Sequence, residues 1–237
     1  MLDALLDLAL GGACVGCGSP GRALCRTCRG GLPRSAYSVS PRPNPPGLAP
    51  VSTTGPYAEV LRAMIVAHKE RAEFALTRPL AEQLAIAVSA TLPDHRSRVI
   101  LIPVPSRWSR VVHRGHDPLL RVARRAGWLL RTLSDSDTAV TTLPALSWHR
   151  LAQDQAGLDH TQRQANLHGA LRVRGSAHQA LAREPSTSSV VLCDDVITTG
   201  ATLAEASRAL AAVGIPLRGI ATIAATQRVL PLSSSAD

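Results

Sequence analysis

Val190-Val191-Leu192-Cys193-Asp194-Asp195-Val196-Ile197-Thr198-Thr199-Gly200-Ala201-Thr202 passes from an apolar run, through two acids, into threonines around a glycine. The apolar run with its β-branched members reads as a buried strand, and the Ala/Leu spacing from Thr202 to Val213 reads as a helix. A strand-to-helix turn centred on Gly200 lets backbone N–H groups converge on one point. The helix N-terminus adds partial positive charge, so the turn attracts an anion, and phosphate fits best. The hydroxyls of Thr198, Thr199 and Thr202 can donate to the same oxygens.

Two carboxylates beside such a turn would repel a bare phosphate. They suit a ligand that also carries hydroxyl donors or a metal ion. A ribose 5-phosphate has both parts, its diol giving short charge-assisted hydrogen bonds to Asp194 and Asp195. The plainer alternative is a strand end followed by a capping box, with Thr202 and Glu205 as its T-x-x-E pair. That alternative leaves the paired acids and the other threonines without a role.

The stretch resembles the phosphoribosyl-pyrophosphate (PRPP) loop of the type I phosphoribosyltransferases: an apolar strand, two acids, then T-T-G-x-T. The resemblance implies an α/β fold with a mostly parallel sheet flanked by helices, and PRPP with magnesium as ligand. It places Asp194 and Asp195 on the ribose hydroxyls. It places Ile197, Thr198, Thr199, Gly200, Ala201 and Thr202 on the 5-phosphate. Features upstream narrow the likeness to the ComF/GntX-like branch, which is associated with DNA uptake in natural transformation. The resemblance thus implies a phosphoribosyltransferase that releases pyrophosphate to an unknown nucleophilic acceptor. A non-catalytic PRPP- or nucleotide-binding protein, or an accessory of single-stranded DNA and the DNA-uptake machinery, are the other classes it leaves open.

A chain of 237 residues can bury one substantial core plus a small appendage. The hydrophobic fraction of 45% and charged fraction of 18% are ordinary for a globular chain. The formal charge of +9 is nearly all arginine excess, since Lys69 is the one lysine among 26 basic residues. Arginine is the better bidentate partner for phosphate. Six aromatic residues are few for a repeated base-stacking platform. The amino end, Met1 to Leu10, carries two acids and no basic region, so it reads as a short packing helix and not a signal peptide. No stretch is long enough to span a bilayer, and a cytoplasmic location is expected.

Cys14-x-x-Cys17 and Cys25-x-x-Cys28, seven residues apart, can close a tetrahedral site. A structural zinc is the expected occupant; two disulfides or an iron–sulfur cluster are the rivals. ComF-like proteins are similar here, with a zinc ribbon before the transferase domain. The expected organisation is a helix and zinc ribbon over 1–32, a Pro-rich linker over 33–50, the transferase-like domain over 51–230 and a disordered tail over 231–237.

Within the domain, helices are expected over 57–68 and 79–90 and a strand over 98–104. Pro103-Val104-Pro105-Ser106-Arg107 ends that strand, and ligands of parallel sheets collect at such ends. The resemblance makes Val104, Pro105, Ser106 and Arg107 the pyrophosphate loop. Lys69 occupies a place where ComF-like sequences carry a lysine that can reach the pyrophosphate; a solvated helix-end lysine is the alternative. Arg114-Gly115-His116-Asp117-Pro118 stands where the family has R-G-F-N-Q, with Asp117 and Pro118 suited to start a helix. The series Arg150, Gln155, Leu158, Arg163, Asn166 matches R-x4-Q-x2-L-x4-R-x2-N. It reads as a lid that closes on the pyrophosphate, with an ordinary surface loop as the alternative. Leu146 to Trp148 reads as a strand end, 174–188 as a loop with a frayed helix, and 217–225 as the last strand. Cys193 reads as a small buried hydrophobe.

Overall fold

The computed structural model describes residues 12–92, 98–106, 111, 115–133, 138–149, 167–227 and 229–231. The amino-terminal helix expected over 1–10 lies outside the described residues. So does 232–237 of the expected tail. In chain order the elements begin with α1 (Arg26–Gly30), β1 (Tyr37–Pro41), β2 (Val51–Pro56) and α2 (Glu59–Glu70). A 3-10 turn (Phe74–Leu76) leads into α3 (Thr77–Ser89), β3 (Arg98–Pro103), α4 (Pro118–Leu133) and β4 (Ala139–Thr142). Then come β5 (Leu146–Trp148), β6 (Leu171–Val173), α5 (Gly175–Ala182) and β7 (Ser189–Ile197). The chain closes with α6 (Ala201–Ala211), β8 (Gly219–Ala225) and β9 (Val229–Pro231).

The main sheet has the order β4-β3-β7-β8-β2-β1-β9. The pairings from β4 across to β2 are all parallel, and β1 runs antiparallel to both β2 and β9. Parallel neighbours need crossovers, and the helices between them cover both faces, as parallel sheets require. Alternation along β7 feeds two cores. Val191 and Cys193 join a cluster with Met64, Leu84 and Val122 from α2, α3 and α4. Val190 and Leu192 join a second cluster with Leu203, Ala206 and Leu210 of α6. Cys193 is fully buried, as a small apolar residue would be.

The stretch 33–50, read as a linker, is corrected in part: Tyr37–Pro41 is a strand of the main sheet. Tyr37, Ser38 and Val39 precede the densest prolines, so they retain the N–H groups that pairing needs. The last strand starts at Gly219, not 217, and three further residues, Val229–Pro231, pair with β1. Within 174–188, expected as a loop with a frayed helix, Gly175–Ala182 forms α5, held by buried Ala177 and Leu181.

β5 and β6 form a separate antiparallel pair, with Trp148 opposite Leu171. Glu205 of α6 anchors this pair. Its buried carboxylate accepts the Leu171 N–H at 2.9 Å and is held by Arg208 at 2.7 Å. Arg208 also donates to the Leu171 carbonyl at 3.2 Å.

Candidate functional site

The carboxyl ends of β3 and β7, adjacent in the sheet, bring the two anticipated loops together. The Val104 N–H donates to the Cys193 carbonyl at 2.9 Å, tying the start of the Pro105-Ser106 loop to the residue before Asp194. Beyond Ile197 the chain turns through Thr198, exposed, and Thr199, half-buried, to Gly200. Gly200 has φ +74°, a left-handed conformation that a side chain disfavours. It is the N-cap of α6 and offers no side chain of its own, while Thr199 Oγ1 accepts the Ala201 N–H at 3.5 Å. The capping box of Thr202 and Glu205 is therefore absent, because Thr202 lies inside the helix and Glu205 serves β6. The N-terminal N–H groups of an 11-residue helix thus face a turn that carries Thr198 and Thr199, with Thr202 in the helix's first turn.

Behind the turn lies a wall that the sequence does not announce. A Cβ on Gly200 would meet Pro41 Cγ at 3.1 Å, Pro45 Cγ at 3.4 Å and Leu48 Cδ2 at 3.4 Å. The segment after β1 thus folds back and packs the rear of the threonine turn.

The two acids differ in their surroundings. Asp195 is 9% exposed and pairs with the ammonium of Lys69 at the end of α2. Burial works to lower the Lys69 pKa, but the charge and hydrogen bond of Asp195, with Asp194 adding, together outweigh it and the net shift is upward. Asp194 accepts the Asp195 N–H at 2.8 Å on its own Oδ1. Burial, then repulsion from Asp195, pushes the Asp194 carboxyl up to about 8.

A small cavity, lined by Lys69, Asp195, His68, Pro118 and Leu119 among others, lies beneath the pair. His68 is buried, bonds Thr77 Oγ1 at 3.0 Å, and is held down to about 4 chiefly by burial. Its ring meets Phe74 edge-on at 6.2 Å, and Phe74 meets His116 at 4.9 Å.

At the other loop, Asp117 caps α4 by accepting the Leu120 N–H at 3.1 Å. The same carboxylate accepts the Ser106 hydroxyl at 3.1 Å and its N–H at 3.4 Å. Trp148 donates its indole N–H to the Pro105 carbonyl at 2.9 Å, so the small β5–β6 sheet braces this loop. Gly115 sits before α4 with φ +71°. Arg107, Arg114, Arg150, Gln155, Arg163 and Asn166, the remaining anticipated residues, lie outside the described ones. Lys69, Asp194, Asp195, the threonine turn and Ser106 are thus brought to neighbouring strand ends. Asp117, Trp148 and Glu205 shape the same region and had no role in the sequence reading beyond capping or a strand end. Only Asp117, two positions after Gly115, offered a signal.

Away from this region, the sulfurs of Cys14, Cys17, Cys25 and Cys28 all lie within 4.8 Å of one another. Backbone N–H groups of Cys25 and Cys28 point at Cys14 Sγ (3.3 Å) and Cys25 Sγ (3.4 Å). Burial opposes ionisation of Cys14, yet the backbone N–H groups of Cys25, Cys17 and Gly16 bring its thiol down to about 6. A Cβ at Gly16 would lie 2.9 Å from Cys28 Sγ, so glycine is needed for the sulfurs to close in. The donor set fits one tetrahedral soft-metal ion.

Residues 149–231 match the family described as the phosphoribosyl transferase domain. Competence protein F of Haemophilus influenzae is 29% identical over 164 residues, 68% of this chain and 66% of that protein. The aligned part is just under two thirds of that relative's length. The fold is mixed α/β with a mostly parallel sheet, and no helix among the described residues is long and apolar enough to cross a membrane. Residues 149–231, with the acid pair and threonine turn inside them, thus carry a phosphoribosyl transferase domain, and over 68% of its length the chain is similar to a ComF-type competence protein.

Proposed function

We propose that the chain binds PRPP with magnesium and transfers its 5-phosphoribosyl group to a nucleophilic acceptor, releasing pyrophosphate. The observation that carries this reading is the juxtaposition of Asp194, Asp195 and the Thr198–Thr202 turn at one strand end with the Ser106 loop at the next. The turn from Ile197 to Thr202 takes the 5-phosphate on backbone N–H groups and hydroxyls. Asp194 and Asp195 accept the ribose hydroxyls, and the loop from Val104 to Arg107 faces the pyrophosphate. Lys69, Arg114, Gly115 and the lid residues Arg150, Gln155, Arg163 and Asn166 supply the cationic and closing groups. Magnesium, when bound, neutralises pyrophosphate charge and keeps part of its water shell. The chain's own contribution is positioning and charge stabilisation as the anomeric bond breaks. The four cysteines hold a structural zinc, and the protein works in the cytoplasm, where thiols stay reduced.

Calorimetry with PRPP, with and without magnesium, tests the binding. Pyrophosphate release in the presence of candidate acceptors tests the turnover. Magnesium-dependent PRPP binding that Asp194→Asn with Asp195→Asn abolishes is the expected result. Undiminished affinity in that double variant would remove the assigned role.

A second reading, an accessory of single-stranded DNA in uptake, is favoured by one surface. Arg121, Arg124, Arg125, Trp128 and Arg131 share one face of α4. Arg125 stacks over Trp128 at 4.1 Å and Arg121 over Phe74 at 4.2 Å, with both aromatics 41% exposed. Cations interleaved with aromatic planes suit an unpaired strand. Salt-dependent binding of an oligonucleotide, weakened by Trp128→Ala and insensitive to PRPP, is its test.

A further inference from the structure

Both donors of Ser106 are engaged within the chain. Its N–H and its hydroxyl reach separate oxygens of Asp117, at 3.4 Å and 3.1 Å. Oδ1 also accepts the Leu120 N–H, so one carboxylate caps α4 and fills the loop after β3. An ionised carboxylate is acceptor-only and negative, as a phosphate oxygen is. A pyrophosphate arriving at Ser106 therefore meets donors already taken and a like charge beside them. Asp117 stands where the ComF-like R-G-F-N-Q pattern has its asparagine, a residue that caps a helix equally well but carries no charge.

We propose that Asp117 sets the ligand specificity of this site: its carboxylate stands in for the pyrophosphate at Ser106, so 5-phosphoribosyl ligands are held chiefly by their phosphate and ribose. The inference rests on the 5-phosphoribosyl reading above and adds to it a preference. Ribose 5-phosphate, or a phosphoribosyl group with an uncharged anomeric substituent, binds nearly as well as PRPP. The pyrophosphate adds little until the Asp117 charge is removed.

The test is calorimetric titration of the full chain and of Asp117→Asn with PRPP, ribose 5-phosphate and pyrophosphate at fixed magnesium. The wild-type protein should bind PRPP within about threefold of ribose 5-phosphate. Asp117→Asn should bind PRPP and pyrophosphate about tenfold tighter, since a like charge is lost at close range, with ribose 5-phosphate unchanged. Wild-type affinity for PRPP far above that for ribose 5-phosphate would overturn the proposal. So would a variant in which PRPP affinity stays the same or falls, the latter meaning that the carboxylate helps hold the cation. Wild-type protein that binds none of the three sinks the underlying reading instead, and this inference with it. If Asp117→Asn folds poorly, Asp117→Ser, another N-capping residue, carries the same expectation.

Discussion

The ammonium of Lys69 pairs with the carboxylate of Asp195, joining the end of α2 to the end of β7. In the ligand-free chain the only lysine thus engages one of the acids proposed to hold the ribose. Ligand entry at Asp195 must either share this carboxylate or release Lys69 toward the incoming anion. Lys69→Met should lower unfolding free energy by about 1–2 kcal/mol, because it leaves a largely buried carboxylate without its counter-charge. Urea unfolding of Lys69→Met, Asp195→Asn and the double variant forms a cycle, and a coupling energy near zero would show that the pair contributes nothing.

Asp194 gives the chain a pH signature. Its folded-state pKa of about 8 lies well above the ordinary carboxylate value of about 4. The protonated form is favoured by folding, so its contribution is fully present below pH ~4 and is lost as pH rises through ~8. Asp194→Asn should therefore be more stable than wild type at pH 9 and nearly equal to it at pH 4. Thermal unfolding across that range checks the sign. Where a ligand or magnesium ionises Asp194, affinity should rise with pH up to ~8, with proton release visible in buffers of different ionisation enthalpy.

His68 works in the opposite direction. Its pKa, held down to about 4 mainly by burial, lies below the ordinary value of about 6.5. The neutral ring is the folded form, so this contribution is present above pH ~6.5 and lost as pH falls through ~4. His68→Gln should flatten the acid limb of the stability profile, and an unchanged limb would assign it to other groups.

For the cysteine cluster, metal analysis of the purified protein should find about one zinc per chain. Gly16→Ala should reduce that content, since the added methyl would crowd Cys28 Sγ at 2.9 Å. Iron with inorganic sulfide, or no metal at all, would reject the zinc assignment.

Gly200→Ala should abolish binding of ribose 5-phosphate and cost about 1–2 kcal/mol in stability, from the left-handed φ and the contact with Pro41. Leu48→Ala, which leaves the turn's own atoms intact, should weaken ribose 5-phosphate binding with a smaller loss of stability. Equal affinity in Leu48→Ala and wild type would show that the wall behind the turn has no part in holding it.

Local chemistry made much of this legible. The continuous apolar run of β7, the glycine after the threonines and the Asp117-Pro118 helix start each declare themselves within a few residues. The expected helices over 57–68 and 79–90 appear as 59–70 and 77–89, because their buried faces recur at helical spacing. What stayed hidden depends on contacts distant in sequence. Glu205 looks like a capping partner until Leu171 arrives from 34 positions away. Tyr37–Pro41 looks like a spacer until β2 and β9 flank it. Pairing of that kind is decided by the whole sheet and not by the propensity of five residues.

The placement of β1 and the prolines after it bears on how this protein can be divided. A chain trimmed to start at Val51 would keep every residue proposed to hold the phosphate and still be damaged. It would present β2 as a raw edge, inviting intermolecular strand addition, and would leave β9 with nothing to lie against. The cysteine cluster is tied to the same body, through Arg29 paired with Glu82 and through Ala23 and Leu32 in the shared core, so the amino end cannot be lifted away cleanly.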